Sequence, residues 1–95
     1  MTVYWLPEAI IDRQEIFDYV STRNPAAAIG LDNRFEKATK DLEFFPDMGA
    51  PGLIPGTQEL YPHANYRLVY EVQGPDVFIQ AVVHGARQWP PINRG

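Results

Sequence analysis

The sequence predicts an α+β fold in which an N-terminal strand and an antiparallel two-helix hairpin pack against an antiparallel β-meander. Three observations predict it: helical spacing of apolar residues in the first half, alternation of apolar and polar residues in the second half, and a proline- and glycine-rich stretch between them. With 95 residues, the chain is expected to form a single domain over residues 1–95.

The first half of the chain predicts one strand followed by two helices. Residues 2–6 are β-branched and aromatic, which is typical of a strand, and Pro7 suits the first position of a helix that continues to about Thr22. Asn24-Pro25 supplies a capping side chain and a first-position proline for a second helix. Steps of three and four residues give this helix an unbroken apolar seam of Ala28, Leu31, Phe35, Ala38, Leu42 and Phe45. Because the connection is short, the two helices are expected to be antiparallel.

The second half predicts a loop over residues 46–56 and strands over residues 57–61, 66–72 and 77–84. A hairpin turn at residues 73–76 should pair the last residue of one strand, Val72, with Val77. Counting outward from that pair assigns to the face against the helices Tyr66, Leu68, Tyr70, Val72, Val77, Ile79, Ala81 and Val83. The opposite face is expected to carry Arg67, Val69, Glu71, Phe78, Gln80, Val82 and His84.

Composition and charge narrow the classes of function. The absence of cysteine excludes disulfides, thiol nucleophiles and zinc sites built from cysteine, and with only two histidines we expect no metal and no cofactor. Twelve acidic residues against eight Lys and Arg give a net charge of −4, which argues against nucleic acid as the main target. The apolar runs are too short to cross a bilayer, and no basic segment precedes the first apolar residues, so we expect a cytoplasmic protein without a signal peptide.

Several short motifs occur in an order that carries more information than any one of them. They are Asn24-Pro-Ala-Ala27, Phe45-Pro46, Gly56-Thr-Gln-Glu-Leu60, Tyr66-Arg-Leu-Val-Tyr70 and His84-Gly-Ala-Arg87. From residue 2 to about residue 90, this order resembles the RelE/ParE superfamily of type II toxins, and the last motif is more similar to the ParE branch. The resemblance implies a toxin that forms a hetero-oligomer with a cognate antitoxin, which neutralises it.

The superfamily resemblance implies two alternative activities. ParE-like members bind and poison DNA gyrase, whereas RelE-like members cut messenger RNA on the ribosome with a basic site. Arg67 and Arg87 match two arginines of that site, and His84 would be its proton-transfer group, but its lysine positions fall on Gln58 and Leu60. We therefore expect a gyrase inhibitor that performs no catalysis. A RelE-like endoribonuclease is the alternative, and a non-toxic member that retains only partner binding is a third hypothesis.

The candidate residues for contact with the target or the antitoxin are Arg67, His84, Arg87 and Trp89. Arg67 and His84 are expected on the free face of the sheet, and tryptophan is a residue type that dominates binding hot spots. Three of them have a structural alternative: an ion pair of Arg67 with Glu59 or Glu71, a hydrogen bond of His84 at the following turn, and packing of Trp89 on the first helix. The acidic residues of that helix are expected only to be solvated; they are Glu8, Asp12 and Glu15.

Overall fold

A five-stranded sheet with both helices against one of its faces forms the fold. In the computed structural model, which describes residues 1–85 and 89–90, the elements are β1 Thr2–Trp5, α1 Pro7–Ser21, α2 Pro25–Phe44, β2 Ala50–Pro51, β3 Gln58–His63, β4 Tyr66–Gln73 and β5 Asp76–His84. The strand order is β1-β5-β4-β3-β2, with β1 parallel to β5 and every other pair antiparallel. The predicted α+β fold is confirmed.

The two helices begin where the sequence predicts. Pro7 occupies the first turn of α1, and the Asn24 side chain accepts a hydrogen bond from the Ala27 amide at 3.1 Å at the start of α2. The α2 seam is buried up to Leu42, but Phe45 is 66% exposed because α2 ends at the residue before it. No helix in the described part of the chain is both long and apolar enough to cross a membrane.

A partly buried cluster of one salt bridge and one aromatic ring joins the helices to each other and to β1. The Arg13 guanidinium on α1 lies 2.7 Å and 3.0 Å from the two carboxylate oxygens of Asp32 on α2, and its carbon lies 4.8 Å from the centre of the Trp5 ring. The Trp5 indole donates to the Thr39 hydroxyl at 3.1 Å. This bidentate pair, together with the cation–π contact, fixes how α1 lies against α2.

The segment between α2 and β3 is a loop, as predicted, with one short strand that was not predicted. Ala50–Pro51 forms β2, which pairs with the start of β3. The hydroxyl of Tyr70, a residue buried completely on β4, donates to the Pro46 carbonyl at 2.7 Å and accepts from the Gly49 amide at 2.9 Å. Burial of this hydroxyl raises the pKa of Tyr70. The loop is therefore fastened to the middle of the sheet.

The pairing of β4 with β5 changes step at a β-bulge. The predicted pair of Val72 and Val77 is confirmed, and the strands stay in step as far as Tyr70 with Ile79. Val69, the residue of β4 that precedes Tyr70, pairs with Ala81. Gln80 of β5 is therefore an extra residue that has no partner on β4. Because side chains alternate between faces, the extra residue reverses the face of every residue after it relative to β4.

The bulge makes the predicted faces wrong for the last four residues of β5. Ala81 and Val83 lie on the sheet face away from the helices, whereas Val82 belongs to the main core with the helices and His84 follows it on that side. The sequence carried no signal for this change because residues 81–83 are all apolar, so either alternation buries apolar side chains.

Candidate functional site

The sheet face away from the helices, which we call the outer face, carries a small apolar cluster. Val69, Ala81 and Val83 are buried there, and Trp89 packs against them. The alternative that Trp89 packs back on the first helix is wrong, since the helices cover the other face of the sheet. The indole Nε1 is buried and has no hydrogen-bond partner among the described residues.

Arg67 lies on the outer face, as predicted, but most of its side chain is shielded from solvent. The side chain is 14% exposed, and its Nη1 lies 3.3 Å from a carboxylate oxygen of Glu59, which is itself 11% exposed. The other Glu59 oxygen accepts from the Leu53 amide at 3.2 Å. Of the two carboxylates considered as partners, Glu71 instead accepts from the Gln80 side chain at 2.9 Å. The ion-pair alternative with Glu59 is therefore confirmed, and contact of Arg67 with a target stays a prediction.

His84 does not share the outer face with Arg67, and the expectation that it does is wrong. It pairs with Tyr66 across the strands, and its ring stands edge-on to the Tyr66 ring at 5.1 Å between centres. The bulge in β5 is the physical reason, because it turns His84 to the side of the helices. Arg87, the remaining candidate, lies outside the described residues.

His84 instead lines a cavity between α1 and the end of β5, which we call the α1–β5 cleft. The cleft has a volume of about 340 Å³ and is lined by Asp12, Glu15, Ile16, Tyr19, Tyr66, Val82 and His84. Asp12 accepts a hydrogen bond from the Val82 amide at 3.1 Å and is half-buried, so it is more than a solvated helix residue. Burial, and to a smaller extent the neighbouring Tyr19, raises the pKa of Tyr66.

Sequence reasoning missed the cleft because its acidic residues belong to an otherwise solvated helix. One signal was present: Asp12, Glu15, Ile16 and Tyr19 follow each other at steps of three, one and three, which places them on one side of a helix. Within the described residues, no group of three or more histidine and carboxylate side chains is placed to hold a metal ion.

The two positions where a RelE-like site would have lysines are structural in this chain. Leu60 is 8% exposed and belongs to the main hydrophobic core. The Gln58 side-chain oxygen lies 3.0 Å from the Tyr70 hydroxyl, and its nitrogen lies 3.4 Å from Asp47. Neither position therefore brings a cation to the outer face beside Arg67.

Comparison with known proteins gives one family. The model of the family described as the ParE toxin of the type II toxin–antitoxin system parDE matches residues 3–89. Y4kP, a candidate toxin of Sinorhizobium fredii, is 32% identical over 91 residues, which are 95% of this chain and 94% of that protein.

Several solved structures share the fold, among them the following two. A chain of the chromosomal ParDE toxin–antitoxin system from P. aeruginosa superposes with a TM-score of 0.78 at 22% identity, over 88% of this chain and 95% of that one. A YoeB/ParE toxin from Agrobacterium tumefaciens superposes with a TM-score of 0.63 at 16% identity, over 88% and 98%. Because the family match extends over nearly all of the chain, we conclude that this protein belongs to the ParE toxin family of type II toxin–antitoxin systems.

Proposed function

We propose that this chain is a toxin that inhibits DNA gyrase by binding it and that a cognate antitoxin neutralises it. The observation that carries the choice of gyrase is the state of Arg67, whose guanidinium is paired with the carboxylate of Glu59 and mostly shielded from solvent. Cleavage of RNA requires cations that stabilise charge developing on the phosphate, and a cation compensated by a buried carboxylate supplies little of that stabilisation.

The arrangement of the other candidates supports binding over RNA cleavage. A ribonuclease that used Arg67 and His84 together would need both at one phosphate, whereas they lie on opposite sides of the sheet. The net charge of −4 also opposes the approach of a polyanion. Trp89, which packs against the apolar cluster of the outer face, is a residue type that dominates binding hot spots and so supports a contact surface there.

The antitoxin is the partner that the family supports. The matching family model describes a toxin of a toxin–antitoxin system, and the similar P. aeruginosa chain comes from such a system. We propose the same kind of hetero-oligomer for this chain. Gyrase as the target would place it in the cytoplasm.

Parallel gyrase and ribosome assays test this proposal. The purified chain, freed of antitoxin, is added to a supercoiling assay with gyrase and plasmid, and separately to ribosomes that carry messenger RNA. We expect inhibited supercoiling and intact message. Cleaved message with unimpaired supercoiling would overturn the gyrase proposal in favour of the RelE-like endoribonuclease, and the absence of both effects would support a non-toxic binding protein.

A paired substitution tests the role of the outer face. Glu59→Gln together with Arg67→Gln removes both charges and leaves no unpaired buried charge, which limits the loss of stability. If the outer face contacts gyrase, the double variant should need about five times more protein for half-inhibition, corresponding to about 1 kcal/mol for one hydrogen bond made by the paired groups. Arg23→Gln, on an arginine of the α1–α2 turn, is the matched control and should inhibit like the unaltered chain.

A further inference from the structure

We infer that the α1–β5 cleft receives a lysine or arginine side chain of the antitoxin, an inference that rests on the antitoxin pairing proposed above. The evidence consists of the position of the cleft, the two carboxylates that line it, and the apolar and aromatic side chains between them. The sheet separates this cleft from the outer face, so the role proposed for the outer face does not explain the cleft.

The cleft opens where the sheet edge is uncovered. β1 pairs with β5 only from Asp76 to Ile79, and the Leu6 amide makes the last contact, to the Ile79 carbonyl at 2.9 Å. The chain then turns into α1, so the end of β5 has α1 beside it instead of a strand. The volume of about 340 Å³ lies at the lower end of the range for ligand sites, which suits one long side chain better than a larger molecule.

The charge of the cleft favours a cation. Asp12 and Glu15 both line it, and none of the described lining residues is a lysine or an arginine. The Val82 amide holds one carboxylate oxygen of Asp12 at 3.1 Å, which fixes the orientation of the carboxylate. Glu15 makes no hydrogen bond or ion pair with the described residues. A carboxylate that is fixed and partly withdrawn from water attracts a cation more strongly than a mobile, fully solvated one.

The remaining lining suits the stem and the head of a long basic side chain. Ile16 and Val82 are apolar and would contact the methylene groups. Tyr19 is 61% exposed, and the guanidinium of Arg23 lies 5.3 Å from its ring centre; an antitoxin cation at this ring would replace that contact of the free chain. An uncharged apolar side chain would bury the two carboxylates without compensation, which is unfavourable.

The test measures binding of the protein encoded by the open reading frame beside the gene for this chain. Calorimetry gives its affinity for the unaltered chain and for three variants: Asp12→Asn with Glu15→Gln, Glu15→Gln alone, and Glu8→Gln. The asparagine retains an acceptor for the Val82 amide. Glu8→Gln is the matched control, because it makes the same charge change on the same helix outside the cleft. Each affinity is measured at low and high salt, and the melting temperature of each free chain is recorded.

We expect the double variant to bind about 100-fold more weakly, Glu15→Gln about tenfold more weakly, and Glu8→Gln within about twofold of the unaltered chain. Added salt should weaken the unaltered complex more than the double-variant complex, because salt screens the attraction between the carboxylates and the cation, and the double variant lacks these carboxylates. Glu15→Lys should abolish binding, and replacing one lysine or arginine of the antitoxin by glutamate should restore it.

Each other outcome overturns the inference in a distinguishable way. If the unaltered chain binds but the double variant binds equally well, the cleft is not the site, and the proposed function stands. If the unaltered chain does not bind, the antitoxin pairing fails first. A lower melting temperature of the free Glu15→Gln chain with unchanged affinity would assign this carboxylate to a cation of the chain itself. If the double variant binds the antitoxin normally but no longer inhibits gyrase, the α1–β5 cleft receives a group of gyrase instead of the antitoxin.

Discussion

Replacement of Tyr70 by phenylalanine tests whether one hydroxyl holds the loop at residues 46–56 to the sheet. Tyr70 is completely buried, and its hydroxyl bonds to two backbone groups of the loop, the Pro46 carbonyl at 2.7 Å and the Gly49 amide at 2.9 Å. The phenyl ring retains the packing, so Tyr70→Phe removes the hydrogen bonds and little else.

The number of hydrogen bonds lost determines the expected change in the free energy of unfolding. Each hydrogen bond contributes about 1 kcal/mol net to the free energy of unfolding, so loss of two should lower it by about 2 kcal/mol. For a chain of this size, that change corresponds to a melting temperature lower by about 8–16 °C. The loop should also open locally, because β2 makes only two pairs with β3.

Urea unfolding and limited proteolysis measure the two effects. Tyr70→Phe should unfold at lower urea with an unchanged slope, and the loop should be cut faster than in the unaltered chain. Tyr61→Phe is the matched control: Tyr61 is 59% exposed and its hydroxyl makes no hydrogen bond within the described residues, so neither quantity should change. If Tyr70→Phe and Tyr61→Phe were equally stable and were cut at the same rate, the Tyr70 hydroxyl would not be what holds the loop to the sheet.

Three further predictions concern stability. Arg13→Met should lower the free energy of unfolding by about 1–3 kcal/mol, whereas Lys37→Met, which removes an exposed ion pair, should cost less than about 1 kcal/mol; urea unfolding compares them. A Cβ at Gly49 would lie 2.9 Å from a backbone carbonyl oxygen of β3, so Gly49→Ala should destabilise by about 1–3 kcal/mol, whereas Gly30→Ala, in open space on α2, should stabilise by about 0.5–1 kcal/mol. Burial raises the pKa of Tyr66. The contribution of this tyrosine to stability is therefore complete below the pKa of an unfolded tyrosine, near 10, and is lost as pH rises through the higher folded pKa. Between pH 8 and 11, the free energy of unfolding should fall more steeply for the unaltered chain than for Tyr66→Phe.

Periodicity predicted the elements of this fold because it determines which side of a helix or strand is buried. The seam of α2 and the alternation of β4 each have one clearly apolar side, and both were predicted correctly except for Phe45, which lies beyond the end of α2. The two residues of β2 were missed because they lie in a segment rich in proline and glycine, where two backbone pairs leave no pattern.

The candidate site was predicted in part, and the main cause of the failures is the bulge in β5. Arg67 was placed correctly because Leu68 and the neighbouring apolar residues fix the faces of β4. His84 was misplaced because Gln80, the bulged residue, is neither a glycine nor a proline and gave no sign of an extra residue. The cleft around His84 was missed for this reason and for a second one: its acidic residues belong to a helix whose other charged residues are solvated.

The parallel pairing of β1 with β5 has a consequence for synthesis of the protein on the ribosome. Residues 2–5 are made before the other strands, find their partner only in residues 76–79, and are separated by β5 from the rest of the sheet. An emerging chain can form the helical hairpin early, yet the surfaces that carry Arg67 and His84 wait until the last strand has left the ribosome. A chain cut short before residues 76–79 should therefore lack the partner of β1 and both of these surfaces.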